Sequence, residues 1–359
     1  MRALRVAAGA LCAGGAQALK LAFIGDSGAE LNGSGGFYAK AVFDMIKAAG
    51  VSLVLHDGDL DYNSSPSTWQ SFLGTYAAQG VDVLTSSGNH EVESALGGAW
   101  DGPRGYKKRL RAALPRRISR ACSGPYGERY ECSYGAGGAH HFVLLGWAQM
   151  ASSGESAASA AFVKAAFAAK PQAKWRWCVF HKPEGLLNPG DTHTETYGNW
   201  DIYEACRVAG AIVTTGHAHV YARSKLISKF SGSTQTVAGD DDAQSPTVRC
   251  GATLAFVVGS SGYKHDRDGP HAGSAWFRKT FSRTDAGANR AGALLCDFGE
   301  DPAATTAACE YRLAGVGTVV DSFSLSSALC GASKRPSRAP SARPTKRPSR
   351  ARPTQSPAT

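Results

Sequence analysis

The chain has 359 residues, of which 43% are hydrophobic and 19% are charged, enough apolar sequence for one large domain or at most two. The formal net charge of +10 comes from the two ends: two Arg residues in the first 18 positions and eight Lys or Arg residues in the last 29 leave 29 basic and 29 acidic residues between them. A neutral body excludes a basic core that binds nucleic acid, and we predict no nucleic-acid partner.

Residues 1–18 have the pattern of a secretory signal peptide. A positive start is followed by a mostly apolar stretch, and Ala16-Gln17-Ala18 matches the small-x-small cleavage pattern. The stretch is too short and too rich in Gly and Ala to span a bilayer, and no other segment reaches about 20 apolar residues. The alternative is a disordered start on a cytosolic protein. We predict that the protein is secreted.

Cysteine content agrees with export. Nine cysteines become eight if Cys12 leaves with the signal peptide, and an even number suits an oxidising compartment. Cys122 and Cys132 flank one turn and Cys296 and Cys309 flank another, so each pair is predicted to form a short-loop disulfide. The sequence leaves four cysteines unassigned: Cys178, Cys206, Cys250 and Cys330. The first two are equally consistent with buried thiols.

Apolar runs alternate with amphipathic segments from residue 19 onwards. Strands are predicted at 19–25, 51–56 and 81–85, and helices at 36–49 and 68–78. This alternation is typical of parallel strands connected by crossover helices.

A long irregular segment is predicted at 91–139. Eight basic residues lie between Arg104 and Arg120, which we interpret as a solvated helix face rather than a surface for anionic substrate. Beyond it the sequence predicts strands at 141–147, 175–180, 211–215, 254–259, 294–298, 311–313 and 319–325, with helices at 155–169 and 200–209. The mixture predicts a mixed α/β fold in which two sheets pack together with helices outside.

Residues 331–359 form a basic tail rich in Pro, Ser, Thr and Arg. Proline recurs every four residues from Pro336 to Pro348, and so polar a segment cannot form a core, so we predict an extended, disordered tail. Contact with an acidic polymer or the cell surface, an O-glycosylated stalk and a plain spacer all fit this composition. The main domain is therefore predicted at 19–330.

Five short motifs follow predicted strands, and each is weak evidence by itself. They are Gly25-Asp26-Ser27-Gly28, Gly58-Asp59-Leu60-Asp61-Tyr62, Gly88-Asn89-His90-Glu91, Cys178-Val179-Phe180-His181 and Gly216-His217-Ala218-His219. Sheets of this kind place their sites beyond the carboxyl ends of strands, so we expect the motifs to meet there.

The donors in these motifs point to a pair of metal ions. Carboxylate, phenolate, amide oxygen and imidazole suit iron, zinc or manganese. His217 and His219 are two residues apart, so in an extended chain they project to the same side and can bind different members of a metal pair. Asp59 is central in order and is predicted to bridge the two ions.

The five motifs, in this order, resemble those of the calcineurin-like metallophosphoesterases, and within them the small single-domain purple acid phosphatases. The resemblance covers residues 19–262 and implies a four-layer αββα sandwich of two mixed sheets flanked by helices. It implies one metal, typically Fe(III), on Asp26, Tyr62 and His219. The other, a divalent Fe, Zn or Mn, would be held by Asn89, His181 and His217, with Asp59 bridging.

Tyr62 is the residue that favours the purple group. Relatives outside that group tend to have a histidine in the first motif, where this chain has Ser27-Gly28, and no metal-binding tyrosine in the second. The run Val257 to Gly262 also looks like the segment that follows the histidine motif in this family. Cys178 departs from the family, which usually has an apolar residue there.

The resemblance implies hydrolysis by a hydroxide that the two metals activate, with Asp59 in the catalytic centre. We assign His90 as general acid or hydrogen-bond donor in the transition state and as substrate-binding; the alternative is a brace of the ligand carboxylates. His193 is a further candidate for substrate binding. His56 and Asp61 are predicted to support the ligands or the fold rather than to take part in catalysis.

The function predicted from these residues is a secreted acid-type phosphomonoesterase acting on a phosphorylated small molecule or ester. A phosphodiesterase or nucleotide hydrolase with the same metals is the first alternative, because loops set the substrate. The second is a non-catalytic secreted protein that binds polyanions or the cell surface. Two sequons begin at Asn32 and Asn63, and Asn32 is the favoured glycan site because Asn63 adjoins Tyr62.

Overall fold

A computed structural model of the protein describes residues 18–28, 38–63, 65–93, 100–101, 105–114, 116–286 and 290–328. The predicted signal peptide up to residue 17, Asn32, Cys330 and the predicted tail lie outside the described residues.

Strands and helices alternate in the first two thirds of the described chain, and strands dominate the rest. The strands are β1 (Lys20–Ile24), β2 (Leu53–His56), β3 (Asp82–Thr85), β4 (Cys122–Ser123), β5 (Arg129–Tyr134), β6 (His140–Leu145), β7 (Trp175–Phe180), β8 (Ile212–Thr215), β9 (Tyr221–Ser224), β10 (Ile227–Lys229), β11 (Thr236–Val237), β12 (Thr247–Val248), β13 (Ala255–Val258), β14 (Phe277–Phe281), β15 (Gly292–Asp297), β16 (Thr306–Leu313) and β17 (Val319–Ser327). The α-helices are α1 (Ala39–Ala48), α2 (Pro66–Ala77), α3 (Asn89–Val92), α4 (Tyr106–Ala113), α5 (Arg116–Ala121), α6 (Ser153–Ala168), α7 (Trp200–Val208) and α8 (Arg283–Ala286).

Two mixed sheets contain most of the strands. The first has the order β12-β17-β16-β15-β1-β2-β3, in which β1, β2 and β3 are parallel and β15 runs antiparallel to β1. The second has the order β14-β9-β13-β8-β7-β6-β5-β4, in which β6, β7, β8 and β13 are parallel. Helices cross over between the parallel strands, as the alternation predicted.

The sheets pack face to face, and β7 shows how one strand serves two layers. Trp175, Trp177 and Val179 belong to the core between the sheets, where the Trp177 ring lies 4.4 Å from that of Phe23 on β1. Cys178 and Phe180 point the other way and pack with α6 and α7. Side chains alternate across a strand, and burial of both faces explains why the strand is apolar throughout. The predicted sandwich of two mixed sheets flanked by helices is confirmed.

The prediction of an irregular segment at 91–139 was wrong. It contains α4, α5 and β5. Among the α4 side chains that the structure describes, only Tyr106 and Leu110 are buried, four residues apart on one face, and the other positions are mostly basic. Two apolar residues in a helix of eight residues give too weak a period to recognise, so the tertiary contacts define this helix. The strands β9, β10, β11, β12 and β14 were also missed. β10, β11 and β12 have three residues or fewer, and basic residues interrupt the apolar pattern of β9 (YARS) and β14 (FRKTF).

The disulfides extend the sequence predictions. Cys122–Cys132 and Cys296–Cys309 are both formed, each between neighbouring antiparallel strands. Cys178 and Cys206, which the sequence left open, form a third disulfide that joins β7 to α7. Cys250 is disulfide-bonded as well. No helix among the described residues combines the length and apolarity that a membrane crossing requires.

Acid stability should depend on His140, which lies in β6 with its ring 4.4 Å from that of Phe298. Burial lowers the pKa of His140 to about 3. Between the ordinary histidine pKa and this value the unfolded chain binds a proton that the folded protein does not, so stability falls as the pH falls through that window. His140→Phe should remove a slope of up to about 1.4 kcal/mol per pH unit.

The measurement is the free energy of unfolding from denaturant titrations between pH 4 and pH 7. Phe142→Leu is the matched control, because it removes buried packing on the same strand without removing an ionisable group. It should lower stability by the same amount at every pH. An unchanged slope in His140→Phe would show that the imidazole is already protonated in the fold.

Candidate metal centre

The carboxyl ends of five parallel strands bring the motif residues to one end of the sandwich. Asp26 follows β1, Asp59 follows β2, Asn89 follows β3, His181 follows β7 and His217 follows β8. The N–H of His217 donates to Oδ2 of Asp26 over 2.6 Å, which joins the motif after the second sheet to the motif after the first. The expectation that the motifs meet beyond the strand ends is met by this geometry.

Three side-chain atoms that can donate to a metal form the first group. They belong to Asp26, Tyr62 and His219. The Tyr62 hydroxyl lies 3.1 Å from Oδ1 of Asp26 and 3.0 Å from Nε2 of His219. Nε2 of His219 lies 3.5 Å from the same carboxylate oxygen. Three donors from three different motifs therefore surround one point.

A second group contains Asp59, Asn89, His181 and His217. Nε2 of His181 lies 3.0 Å from Oδ1 of Asn89 and 3.2 Å from Oδ1 of Asp59. Ligand atoms of Asp59, His181 and His217 all lie within 4.8 Å of one another. The two groups match the two ligand sets that the family resemblance implied. The bridging role of Asp59 stays a prediction.

The spacing of these donors fits metal ions. Two donor atoms bound about 2.1 Å from one ion, at an angle of roughly 90–110°, lie roughly 3.0–3.4 Å apart. Burial lowers the pKa of His217 well below the usual value, which keeps its imidazole neutral and able to bind a metal. Burial, followed by the charge of Asp26, raises the pKa of Tyr62 well above the usual value, so a phenolate here requires a nearby cation.

The backbone is strained at three of the predicted ligands. Asp26, Asp59 and His217 have φ angles of +54°, +51° and +64°, in the left-handed region that favours glycine. Such a conformation costs a non-glycine residue about 1–3 kcal/mol and persists only where the surrounding structure imposes it. The turns after β1, β2 and β8 therefore hold these side chains in place at the expense of local strain.

Hydrogen bonds to two of the predicted ligands, His181 and His219, fix their orientation. Nδ1 of His181 donates to the carbonyl of Asp57 over 3.0 Å, which leaves Nε2 as the nitrogen that faces the site. The N–H of His219 donates to Oδ2 of Asp266 over 3.0 Å. The sequence analysis missed Asp266, because no motif surrounds it and 47 residues separate it from His219.

Glu91 was quoted in the third motif but was assigned no role. It is fully buried, and its carboxylate accepts the backbone N–H groups of Asp59, Leu60 and Gly88 over 3.0, 2.7 and 2.9 Å. It therefore ties the motif after β2 to the motif after β3. A glutamate two residues after a predicted ligand was the signal that could have identified it.

His90 and His193 lie on different sides of the two groups. The N–H of His90 donates to Oδ1 of Asp59 over 3.0 Å, and its ring lies 4.3 Å from that of Tyr62. The His193 ring lies 4.0 Å from that of His217 and 5.8 Å from that of His219. Both are next to the donors, and their roles in substrate binding stay predictions.

His56 and Asp61 have the surroundings of structural residues, as predicted. His56 accepts the N–H of Gly58 at Nδ1 and faces the hydroxyl of Ser27 at Nε2, and burial lowers its pKa to about 3. Asp61 accepts the N–H of Asn63 over 2.9 Å and the hydroxyl of Tyr106. Through Tyr106, Asp61 connects the start of α4 to the turn that contains Tyr62.

Gly88 should be irreplaceable, because a Cβ atom there would collide with the carboxylate and the N–H of Asp59. Gly88→Ala should lower stability by about 1–3 kcal/mol and reduce metal content after reconstitution. The measurements are thermal unfolding and elemental analysis of bound metal. Gly74→Ala in α2 is the matched control, since its Cβ would meet nothing within 4 Å; it should keep the metal and gain up to about 1 kcal/mol. Equal stability and equal metal content in Gly88→Ala and Gly74→Ala would contradict the collision.

Known proteins of solved structure share this fold. Among solved structures, a purple acid phosphatase from yellow lupin (Lupinus luteus), PPD1, is similar with a TM-score of 0.59 and 19% identity, covering 87% of this chain and 54% of that one. This chain thus spans about half the length of the lupin protein. GAP50 of Plasmodium, described as the anchor in the inner membrane complex, has a TM-score of 0.51 and 12% identity, covering 86% of this chain and 89% of that one.

These two likenesses show the fold alone. None of the curated proteins is significantly similar to the chain in sequence. The sequence model of the calcineurin-like phosphoesterases matches residues 19–221, which is more than half of the chain and contains all seven donors of the two groups. The protein is a member of the calcineurin-like phosphoesterase family.

Proposed function

We propose that the protein is a hydrolase of phosphate monoesters that uses two metal ions. The observation that carries the proposal is the complete set of seven donors, in two adjacent groups, at the carboxyl ends of the strands. The family binds two metal ions and acts on phosphoesters, which agrees with this donor set.

Two bound cations would stabilise the phosphate oxygens and lower the pKa of a water molecule to make it a nucleophile. The remaining tasks fall to the chain's own residues. His90 is the general acid of the proposal: its side chain is 26% exposed, and Nε2 lies 3.9 Å from Oδ2 of Asp59. It can therefore reach a leaving oxygen from the rim of the site. His193, packed on His217, would orient the phosphate from the opposite side.

Fe(III) on the first group is part of the proposal, because Tyr62 supplies a phenolic oxygen next to a carboxylate and an imidazole. A divalent Fe, Zn or Mn would occupy the second group. Secretion is supported by the disulfides within the described residues, which form and persist in oxidising compartments. Glycosylation at Asn32 and contact of the basic tail with acidic polymers remain proposals.

A non-catalytic binding role is the competing proposal from a different class. GAP50, which shares the fold, is described as an anchor. The arrangement of the donors favours an enzyme, because three strained backbone turns hold them in place and a binding surface has no need of such strain.

Asp59→Asn should lower hydrolysis of an aryl phosphate monoester by at least about a hundredfold, because it removes a charged donor from the second group. The measurement is turnover of the monoester and of the matching diester, at acidic and neutral pH, by the full-length protein reconstituted with iron and zinc. Asp301→Asn is the control, because this exposed aspartate lies in a surface turn outside both groups.

The two substrates separate the alternatives. Preferential monoester hydrolysis at acidic pH supports the phosphatase. A diester preference would keep the metal centre and replace the proposed substrate class. Turnover that survives in Asp59→Asn would contradict the site, and no turnover by the unmodified protein would favour the binding role.

Metal identity can be tested at Tyr62. Protein reconstituted with Fe(III) should absorb visible light through charge transfer from the Tyr62 phenolate, and Tyr62→Phe should lose that band. Tyr38→Phe is the control, because Tyr38 is exposed at the start of α1. A band that persists in Tyr62→Phe would mean that another group binds the iron.

A further inference from the structure

Lys182 is a buried cation directly beside the metal centre. It follows the ligand His181, and its side chain is only 9% exposed. Lysine is rarely buried to this extent unless the charge is compensated. The groups around its ammonium must therefore compensate the buried charge.

Two aromatic faces and one carboxylate surround the ammonium group. Nζ lies 4.1 Å from the ring centre of Trp147 and 5.1 Å from that of Tyr197, and the two rings meet edge to face. Oε1 of Glu93 lies 3.7 Å away and accepts the indole N–H of Trp147 over 2.6 Å. Cation–π contact and the carboxylate stabilise the charged form of a lysine that is largely removed from water.

The chain assembles this enclosure from segments next to the predicted ligands and from the end of β6. Glu93 ends the short helix α3 that begins with the ligand Asn89, and Trp147 follows β6 with its N–H on the carbonyl of Ser87. Tyr197 lies in the loop before α7, where its N–H donates to the buried carboxylate of Glu184 over 3.1 Å. Lys182 is therefore held by the framework of the metal centre.

One aromatic ring separates this charge from the second donor group. The Tyr197 ring packs on the ammonium, and its hydroxyl lies 3.3 Å from Nε2 of His217. The intervening material is protein rather than solvent, so the field of the ammonium is screened less than it would be at the surface.

We propose that Lys182 is a specificity-determining residue that makes the site prefer phosphate groups with two negative charges over those with one. This inference rests on the proposed function and names its substrate class: phosphate monoesters, together with inorganic phosphate, rather than diesters. Lys182 acts through its fixed charge and forms no covalent bond.

The physical basis is the charge of the substrate. A phosphate monoester has a second pKa near 6 and carries close to two negative charges at neutral pH, whereas a diester carries one. The second negative charge of the monoester, at roughly 8–10 Å from a largely buried cation, adds attraction that the diester lacks. This attraction raises the affinity for the monoester relative to the diester by about ten- to thirtyfold. The partner carboxylate of Glu93 is 39% exposed, so water screens its opposing effect more strongly.

The experiment compares kcat/KM for an aryl phosphate monoester and its matching diester at pH 7 in metal-reconstituted full-length variants. Lys182→Met should lower the monoester-to-diester ratio by about ten- to thirtyfold, and Lys182→Arg should retain most of it. Glu93→Gln keeps an acceptor for Trp147 and removes the opposing charge, so it should raise the ratio. Lys164→Met, an exposed lysine on α6, is the matched control for loss of one positive charge.

Calorimetry of inorganic phosphate binding provides a readout that is independent of turnover. Lys182→Met should weaken phosphate binding by at least this factor, because inorganic phosphate carries more than one negative charge at pH 7; metal content and thermal unfolding are measured alongside. If Lys182→Met does not fold, Lys182→Gln replaces it as the neutral variant, and a folded neutral variant with an unchanged monoester-to-diester ratio overturns the inference.

An equal loss for monoester and diester in Lys182→Met would show a structural role and would also overturn the inference. A protein that hydrolyses neither substrate refutes the proposed function instead. In that case the calorimetry tests Lys182 separately. Weaker phosphate binding by Lys182→Met supports the proposed charge effect, and unchanged binding refutes it.

Discussion

The site depends on the carboxylate of Asp26, whose two oxygens connect the two sheets. Oδ2 accepts the N–H of His217 over 2.6 Å, and Oδ1 lies 3.1 Å from the hydroxyl of Tyr62. A strand end of the first sheet is thereby held against a strand end of the second. Gly216 lines the same contact, because a Cβ there would lie only 2.5 Å from Oδ2 of Asp26. The metal donors converge because this junction closes.

The core between the sheets makes that junction rigid. The contact of Phe23 with Trp177 and the burial of both faces of β7 hold the strands in register, so the strained turns at Asp26, Asp59 and His217 cannot relax separately. A close-packed interior transmits strain rather than absorbing it. The same framework carries Lys182 and its aromatic walls, so the donors and the charge next to them belong to one unit.

Much of the fold was predictable because its signals are local. Strands such as 175–180 and the crossover helices have apolar periods that are visible in one dimension, and the predicted boundaries differ from the observed ones by a few residues. The segment 91–139 was not predictable, because Tyr106 and Leu110 are the only buried residues among the described side chains of α4. The disulfide between Cys178 and Cys206 was equally hidden, since it joins a strand to a helix 28 residues later.

By itself, the sequence identified seven residues that can offer metal donors, because Asp26, Asp59, Tyr62, Asn89, His181, His217 and His219 each follow a predicted strand and a sharp turn. The family resemblance implied how they group, and only the tertiary structure decided the contacts, since Tyr62 meets His219 across 157 residues and His181 meets Asn89 across 92. It alone revealed the supports Glu91 and Asp266 and the enclosure of Lys182. The reason is physical: the sequence gives the chemistry of each side chain at its own position, whereas the distances between side chains arise only when the two sheets pack together.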